Sequence, residues 1–559
     1  MNERGPKIWG AVQKEGSPSS KREKFNTIGG MNNGKVTFKQ YNVDQPSLLP
    51  ARLDELIPGD HLVRVVNRMV DSIDIRPLLL KYKGGGTSSY HPRMMLKVLV
   101  YAYAEKIFSS RRIAKALREN VNFMWMSGGN KPDFRTINMF RGETMKAEVR
   151  EVFAAVLELL IEGGYVKLEN YFVDGTKMEA NANPHKVVWA KKTEKYKSRL
   201  RQQIMELLDE IEKVNEAEEE AYGDEDLEEL GGKGGIDAEK LQRKVDELNE
   251  RLKQQPENKK LKKAVKTLEK KHLPRLEKYE AQEKTLVGRS SYSKTDPDAT
   301  CFRMKEDRAA EKPLPRPAYN VQIGTEGQFI VGFSIHQRAG DPGCFIPHME
   351  QQKLPEGVKI QNVCTDAAYG SEENYAYVEK RELGNYLKYN TFYRETHPPR
   401  KPELIQKATF LVENLPYDPD KDEFTCPANH PLTYRETRPY RTQNGYLTER
   451  RFYECSQCAT CPLKSQPRSS AGQCTKAKGN RRIQISFKLR EYRQQAKANL
   501  LSEQGVALRK QRGPDVETVF GDIKHNMGVR RFMLRGLKKV ETEWGLLAIA
   551  HNLRKLAAT

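Results

Sequence analysis

No stretch of these 559 residues is apolar for long enough to cross a bilayer, and the first residues carry no secretory leader pattern. That predicts a protein of the cytoplasm, or one associated with the nucleoid, with no membrane partner. Cysteine is scarce as well: eight residues, far from the density of a disulfide-stapled secreted scaffold. Negative charge is the third shortage. Asp and Glu total 75 against 96 Lys and Arg, a formal net charge of +21. Such an imbalance favours a polyanionic partner, with nucleic acid the default and a merely soluble basic protein the plainer alternative. The chain is too long for one hydrophobic core, so roughly two to four modules are expected.

What is present divides the chain. Residues 1–30 are polar, rich in Gly, Ser and Lys, and without periodicity, which reads as a disordered stretch or an extension upstream of a start at Met31. Residues 1–45 are taken as that extension. Residues 46–162 carry helix signals: one helix behind Asp60 as N-cap, a second over about 92–103, a third over about 109–119 with a basic outer face, and a fourth beginning near Pro132. This succession reads as a helix-turn-helix DNA-binding domain, or as a helical packing domain with a solvated basic face. On the first reading Arg111, Arg112, Lys115 and Arg118 touch phosphates, and Arg135 or Arg141 reaches bases.

A helix over about 151–161 leads to Tyr171-Phe-Val-Asp174-Gly175. This short apolar run ends in a carboxylate, the pattern of a buried strand delivering Asp174 to a sheet edge. Residues 163–190 begin a core. Over 191–290, Leu200, Ile204, Leu207 and Ile211 recur at helical spacing. Beyond an acidic, glycine-rich loop at 223–235, Leu241, Val245 and Leu248 form a second stripe and Leu261, Val265 and Leu268 a third. A helical hairpin or short coiled coil is expected, its charged residues being solvated faces, or else an arm that dimerises or lies along DNA. The core resumes over 291–390, with strands at about 318–324 and 329–336 joined by a Glu326-Gly327 turn, then a helix at 345–352. A strand at 358–364 delivers Asp366, and a helix at 372–381 and a strand at 386–389 follow. Residues 391–500 form a second, loop-rich insert. Residues 501–559 supply two helices, over about 514–526, with Pro514 in the first turn, and 536–555. Without its inserts this order is an α/β, ribonuclease-H-like mixed sheet: an antiparallel trio extended by parallel strands.

Three carboxylates follow that order: Asp174, Asp366 and Glu517. Two strand-end aspartates and a distant helical glutamate form an all-oxygen donor set suited to two Mg²⁺ (or Mn²⁺) ions. Such a pair clamps the attacking and leaving oxygens of a phosphodiester. Asp296 and Asp298 read as turn residues; Glu541 and Glu543 compete for the third place from a different helix. His551, in an apolar stretch, reads as a core histidine. Cys455-x2-Cys458-x2-Cys461-Pro462, with Cys426 upstream and Cys474 downstream, has the spacing of a tetrahedral zinc site. Four of the five could close it, with His430 able to replace one; Cys426, Cys455, Cys458 and Cys461 are the first choice for a structural Zn²⁺. An iron–sulfur cluster fits the spacing less well, because no fourth cysteine stands three residues on. Unligated thiols are the third alternative.

Val173-Asp-Gly-Thr-Lys-Met-Glu-Ala180, Cys364-Thr-Asp-Ala-Ala-Tyr-Gly-Ser371 and Val516-Glu-Thr-Val-Phe-Gly-Asp-Ile-Lys524, followed by Arg530-Arg-Phe-Met-Leu-Arg-Gly536, together resemble a known family. From about Met31 onward the chain resembles the DDE transposases of bacterial insertion sequences. The similar subgroup has an InsH-like helical N-terminal domain and a cysteine-bearing insert. The resemblance implies a metal pair with Asp174 bridging both ions, Asp366 on one and Glu517 on the other. It implies double-stranded DNA partners, the inverted-repeat ends of the element and its target, and a homodimer or larger assembly to pair two ends. Cleavage would be Mg-dependent, and the freed 3′-hydroxyls would attack target DNA. The related families show Tyr-x2-Arg-x3-Glu-x6-Lys. Here Glu517-x6-Lys524 is present, Lys510 and Gly513 stand in the first two places, and Arg512 is one residue away. Lys524 is implied to contact DNA beside the metals. Two rival readings share the core: a nuclease that hydrolyses without joining strands, and a non-catalytic DNA-binding regulator.

Overall fold

The most apolar segments become the strands of one sheet. In chain order the strands are β1 (Asn170–Glu179), β2 (Val187–Trp189), β3 (Ser291–Ser293), β4 (Thr300–Phe302), β5 (Arg316–Glu326), β6 (Phe329–His336), β7 (Asn362–Thr365) and β8 (Gly384–Leu387). β5 lies antiparallel to β1 on one side and to β4 and β6 on the other; β7 pairs parallel with β1, and β8 parallel with β7. An antiparallel trio extended by parallel strands is the ribonuclease-H-like arrangement. The structure, a computed structural model, describes residues 52–82, 89–219, 236–254, 256–304, 314–397, 399–465, 474–475 and 477–559. The expected N-terminal extension and the acidic loop at 223–235 lie outside the described residues.

β5 and β6 meet in a two-residue turn whose central residues, Gly327 and Gln328, have φ of 57° and 63°. Two positive values mark the turn type whose twist matches a hairpin. On one face of the sheet the Tyr171 ring fills the space over Gly324, where a Cβ would lie 1.9 Å from its Cζ. Only glycine allows that approach. The ring's hydroxyl lies 2.9 Å from His348 Nε2 beneath it.

The N-terminal helices Leu62–Ser72, Pro92–Ala104 and Ser110–Glu119 precede one that runs from Phe134 through a widened turn at Phe140–Thr144 to Glu162. The first helix is capped by His61, whose Nδ1 accepts the Val63 amide at 3.1 Å, and not by the expected Asp60. The last helix of the chain, Leu537–Ala558, is buried on all sides from Val540 to Leu553. A helix apolar all round must be enclosed, and this one lies between β6 and the helices Pro92–Ala104 and Met145–Glu162. The N-terminal helices and the sheet therefore share one continuous apolar core.

The first insert is three long helical segments, not two. Ala190–Glu219, Ala238–Gln254 and the run from Lys259 to Leu286 pack Leu200, Ile204, Val245 and Leu268 into a core of their own. β2 and β3 pair at its base. The second insert corrects the loop-rich expectation. It carries β9 (Tyr417–Asp418), β10 (Glu423–Thr425), β11 (Pro431–Arg441), β12 (Leu447–Cys455) and β13 (Arg482–Ile485), a five-stranded antiparallel sheet in the order β13-β12-β11-β10-β9. Among the described residues one small apolar cluster anchors it; β11 is mostly exposed and β12 mostly half-buried, and charged residues interrupt both, so the period-2 signal is hidden.

Candidate active site

Register brings the two aspartates together. Val173 of β1 pairs with Thr365 of the parallel β7, so Asp174 and Asp366, one residue further on, stand level on neighbouring strands. Strands in that relation lie about 4.8 Å apart. Alternation puts both carboxylates on the same sheet face. β1 does not end at Asp174, as the sequence suggested, but continues to Glu179 along β5. β7 does stop before its aspartate, and Asp366 Oδ1 accepts the Ala368 amide at 2.9 Å, fixing the turn.

Gly175 belongs to the opposite face. A Cβ there would meet Gln322 Nε2 at 2.1 Å and Asp341 Oδ1 at 2.8 Å. Gln322 and Asn320 donate to Asp341 Oδ1 at 3.1 and 2.8 Å, and the Tyr369 hydroxyl donates to Gln322. Burial, then the negative charge of Asp341, Asp174 and Asp366, holds the Tyr369 phenol well above its usual range. Tyr369 is thus a neutral donor locked beneath the two aspartates. Sequence reading passed over Asp341 and Gln322, because neither sits in a recognisable motif.

A single helical run from Glu503 to Asn526 crosses this face, widened into π turns at Gly513–Glu517 and Asp522–Asn526. Pro514 lies within it rather than at its start. A proline removes one helical hydrogen bond and crowds the preceding turn, and the π widening accommodates both. Arg512 Nη2 reaches Asp174 Oδ2 at 3.1 Å. Lys524 Nζ donates to Thr176 Oγ1 at 2.7 Å; Thr176 is two residues beyond Asp174 and on its face. Glu517, between them in sequence, is exposed and makes no hydrogen bond or ion pair with the described residues. Its neighbour Asp515 is buried and accepts the Gln328 amide at 3.0 Å. Asp522 accepts from His551 Nδ1 at 2.9 Å, while His551 Nε2 donates to the Gln328 carbonyl at 3.0 Å. These two bonds explain the core histidine and fix the helix against the β5–β6 turn. Among the described residues no three His, Cys, Asp or Glu side chains stand together at ligand spacing. The structure thus brings together Asp174, Asp366, Arg512 and Lys524, and leaves Glu517 apart.

The competing carboxylates have structural employment. Asp296 is wholly buried under the Tyr319 hydroxyl, at 3.0 and 2.9 Å. Asp298 Oδ2 accepts the Leu537 amide at 2.8 Å, at the start of the last helix. Glu541 pairs with Arg150, and Glu543 accepts the Met533 and Leu534 amides. Of the N-terminal cations, Arg111, Arg112, Lys115, Arg118 and Arg135 are exposed. Arg111 and Arg135 stack on the same Phe134 ring, at 5.1 and 5.7 Å, and so share one patch. Lys115 pairs loosely with Glu119 at 3.6 Å. Arg141 corrects an expectation: it is 4% exposed and spends its guanidinium on the Phe108 carbonyl at 2.7 Å, Tyr103, Ser110 and Asn138. It holds helices together and cannot reach a base.

In the second insert Cys426, Cys455, Cys458, Cys461 and Cys474 line one cavity of about 10 Å³, together with His430 and Arg481. Cys455 stands opposite Leu432 in the sheet. The His430 ring turns to Gln457, while its amide donates to Cys426 Sγ at 3.3 Å.

Sheet order and strand register define a ribonuclease-H-like fold. Residues 425–557 match the family described as transposase DDE domain, and residues 51–143 match the transposase domain family DUF772. These two matches, at opposite ends of the chain, are both to transposase families and support a DDE transposase of the insertion-sequence type. The first match includes the cysteine segment, Glu517 and Lys524, and begins after Asp174 and Asp366. No curated protein and no solved structure matches the chain. No helix of the described residues is long and apolar enough to cross a membrane.

Proposed function

We propose that this transposase binds the inverted-repeat ends of its own element, cleaves there with a pair of Mg²⁺ ions, and joins the freed 3′ ends to target DNA. The observation that carries the reading is the level pairing of Asp174 and Asp366 under a helix that bears Arg512, Glu517 and Lys524. The donor chemistry fits hard ions: both aspartates offer oxygen only, and Asp174 already holds a cation, the Arg512 guanidinium. Asp174, Asp366 and Glu517 would hold the ions, which supply charge neutralisation and alignment at the scissile phosphate. For Glu517 this needs the helix to turn or slide, and the two π turns are where such a change would be taken up.

The other residues orient the DNA. Arg512, now paired with Asp174, would bind a phosphate oxygen once that carboxylate held a metal ion, which would keep the local charge near balance. Lys524, poised at Thr176, contacts the end of the element. Arg111, Arg112, Lys115 and Arg135 bind the terminal repeat through phosphates, and the Phe134 platform sets the direction of two of them. Pairing two ends requires at least two copies of the chain. Residues 46–162 serve as the end-binding module, the core is divided into 163–190, 291–390 and 501–559, and 191–290 and 391–500 are inserts.

The test is an end-cleavage and strand-transfer assay with DNA from the flanks of the gene. Wild-type protein in Mg²⁺ should release 3′ ends and join them, while Asp174→Asn should bind ends normally and do neither. Cleavage by Asp174→Asn at the wild-type rate would refute the metal role. Cleavage without joining by the wild type would mark the chain as a nuclease.

A further inference from the structure

The cavity of about 10 Å³ ringed by five cysteines has room for a single atom. Hydrogen-bond donors point at the sulfurs around it. Cys426 Sγ accepts from the amides of Ala428 and His430, at 3.4 and 3.3 Å. Cys458 Sγ accepts the Arg481 amide at 3.3 Å, and Cys474 Sγ the Arg481 guanidinium at 3.1 Å.

Arg481 is the second, independent observation. It is 5% exposed, and its guanidinium bonds only to Cys474 Sγ and, at 2.6 Å, to the Phe410 carbonyl. No carboxylate pairs with it among the described residues. A buried cation without a counter-charge is strongly unfavourable, so negative charge must come from its surroundings. The surroundings are sulfur. Four thiolates on one divalent ion carry a net charge of about −2, which an adjacent guanidinium offsets in part. Soft donors in a set of four select zinc.

We propose that Cys426, Cys455, Cys458 and Cys474 hold one structural zinc ion and that Arg481 supplies the buried counter-charge. This revises the choice made from spacing, which took Cys461 in place of Cys474. Cys474 is chosen because the Arg481 guanidinium reaches its sulfur, while Cys461, on the same cavity, precedes the short helix Pro462–Ser465. The sulfurs stand wider than ligand spacing in the structure, and binding would draw them inward to the roughly 2.3 Å of a zinc–thiolate bond. Cys426 follows β10, Cys455 ends β12 and Arg481 precedes β13, so one ion with its counter-charge would tie three strand ends together.

Full-length protein purified without chelator should carry one zinc per chain by plasma mass spectrometry. Cobalt in its place should give the intense thiolate-to-cobalt charge-transfer band of a tetrathiolate. Cys461→Ser should keep the full zinc content and the band. Cys474→Ser and Arg481→Gln should each hold zinc at least about tenfold more weakly in chelator competition, and Arg481→Lys should recover most of the loss. Zinc-free wild-type protein, or an iron chromophore, overturns the site. Zinc lost by Cys461→Ser overturns the ligand set, and that variant decides the matter even if Cys474→Ser does not fold. None of these readouts uses DNA or turnover, so their failure leaves the transposase reading standing.

Discussion

Asp174 and Asp366 sit on strands whose pairing would be the same with asparagine in their places, because main-chain register holds them level. The cysteines of the second insert are built the other way. Cys426, Cys455 and Cys458 are part of a cluster that has only Leu415, Phe424, Leu432, Tyr453, Ile483 and Ile485 as its other buried members. In a small sheet these sulfurs occupy positions that larger apolar side chains would fill. The aspartates are an addition to a finished fold, and the cysteines are part of what finishes one. The lesson is that a side chain's cost on removal is set by what else holds its backbone.

Asp366→Asn should give the largest effect and define one pole of that contrast. Strand cleavage should fall by at least about 10³-fold, since the lost charge acts on the transition state, while the melting temperature stays level or rises. A melting temperature that drops by many degrees would erase the distinction.

The double substitution Cys455→Ser/Cys458→Ser probes the other pole. Zinc binding is worth on the order of 10 kcal/mol in small zinc peptides. The double variant should lose its zinc, and limited proteolysis should cut within about residues 410–485 first, leaving the sheet core to unfold at its usual temperature. Uniform resistance across the insert would show that its apolar cluster suffices.

Asp522 is a carboxylate used for architecture alone. The hydrogen bond from His551 holds its carboxyl at about 2, below the ordinary 3.8. A lowered carboxylate pKa stabilises the fold above about pH 4, and that stability is lost as pH falls through about 2. Asp522→Ala should therefore cost about 2 kcal/mol at neutral pH by denaturant titration, and the gap to wild type should narrow in acid. A gap that stays constant with pH would place the bond's worth elsewhere.

Lys524→Ala should have the smallest effect, about a tenfold loss of strand transfer, as expected for one charge-assisted contact. Lys538→Ala is the control, since Lys538 is exposed and pairs only with Glu541 at 3.3 Å. Equal rates for the two variants would reduce Lys524 to a structural prop for Thr176.

Much of this was legible in the chain because local pattern and final placement coincide. The run of Tyr171 to Val173, the turn at Gly327 and the boundaries of β6 follow from apolar runs and turn residues alone. Three features resisted for identifiable reasons. β1 continues past Asp174 because β5 offers partners as far as Glu179, a tertiary cause that no window on β1 contains. Pro514 advertises a helix start, yet the helix absorbs it by widening. Arg141 carries the charge of a DNA contact, and only the packing of Tyr103 and Phe108 around it reveals an interior role. At the cysteine cluster spacing marked the five residues but could not rank them, because the contact of Arg481 with Cys474 is a tertiary one.

The helix Leu537–Ala558 also sets a timetable. It follows β1 by about 370 residues, yet it fills the space between β6 and the first helices. At about 5–20 residues per second, the N-terminal helices wait on the order of a minute for the surface that buries them. Until then the nascent chain presents open apolar flanks. A chain made without this helix should therefore be cleared by proteases rather than persist as partly active enzyme.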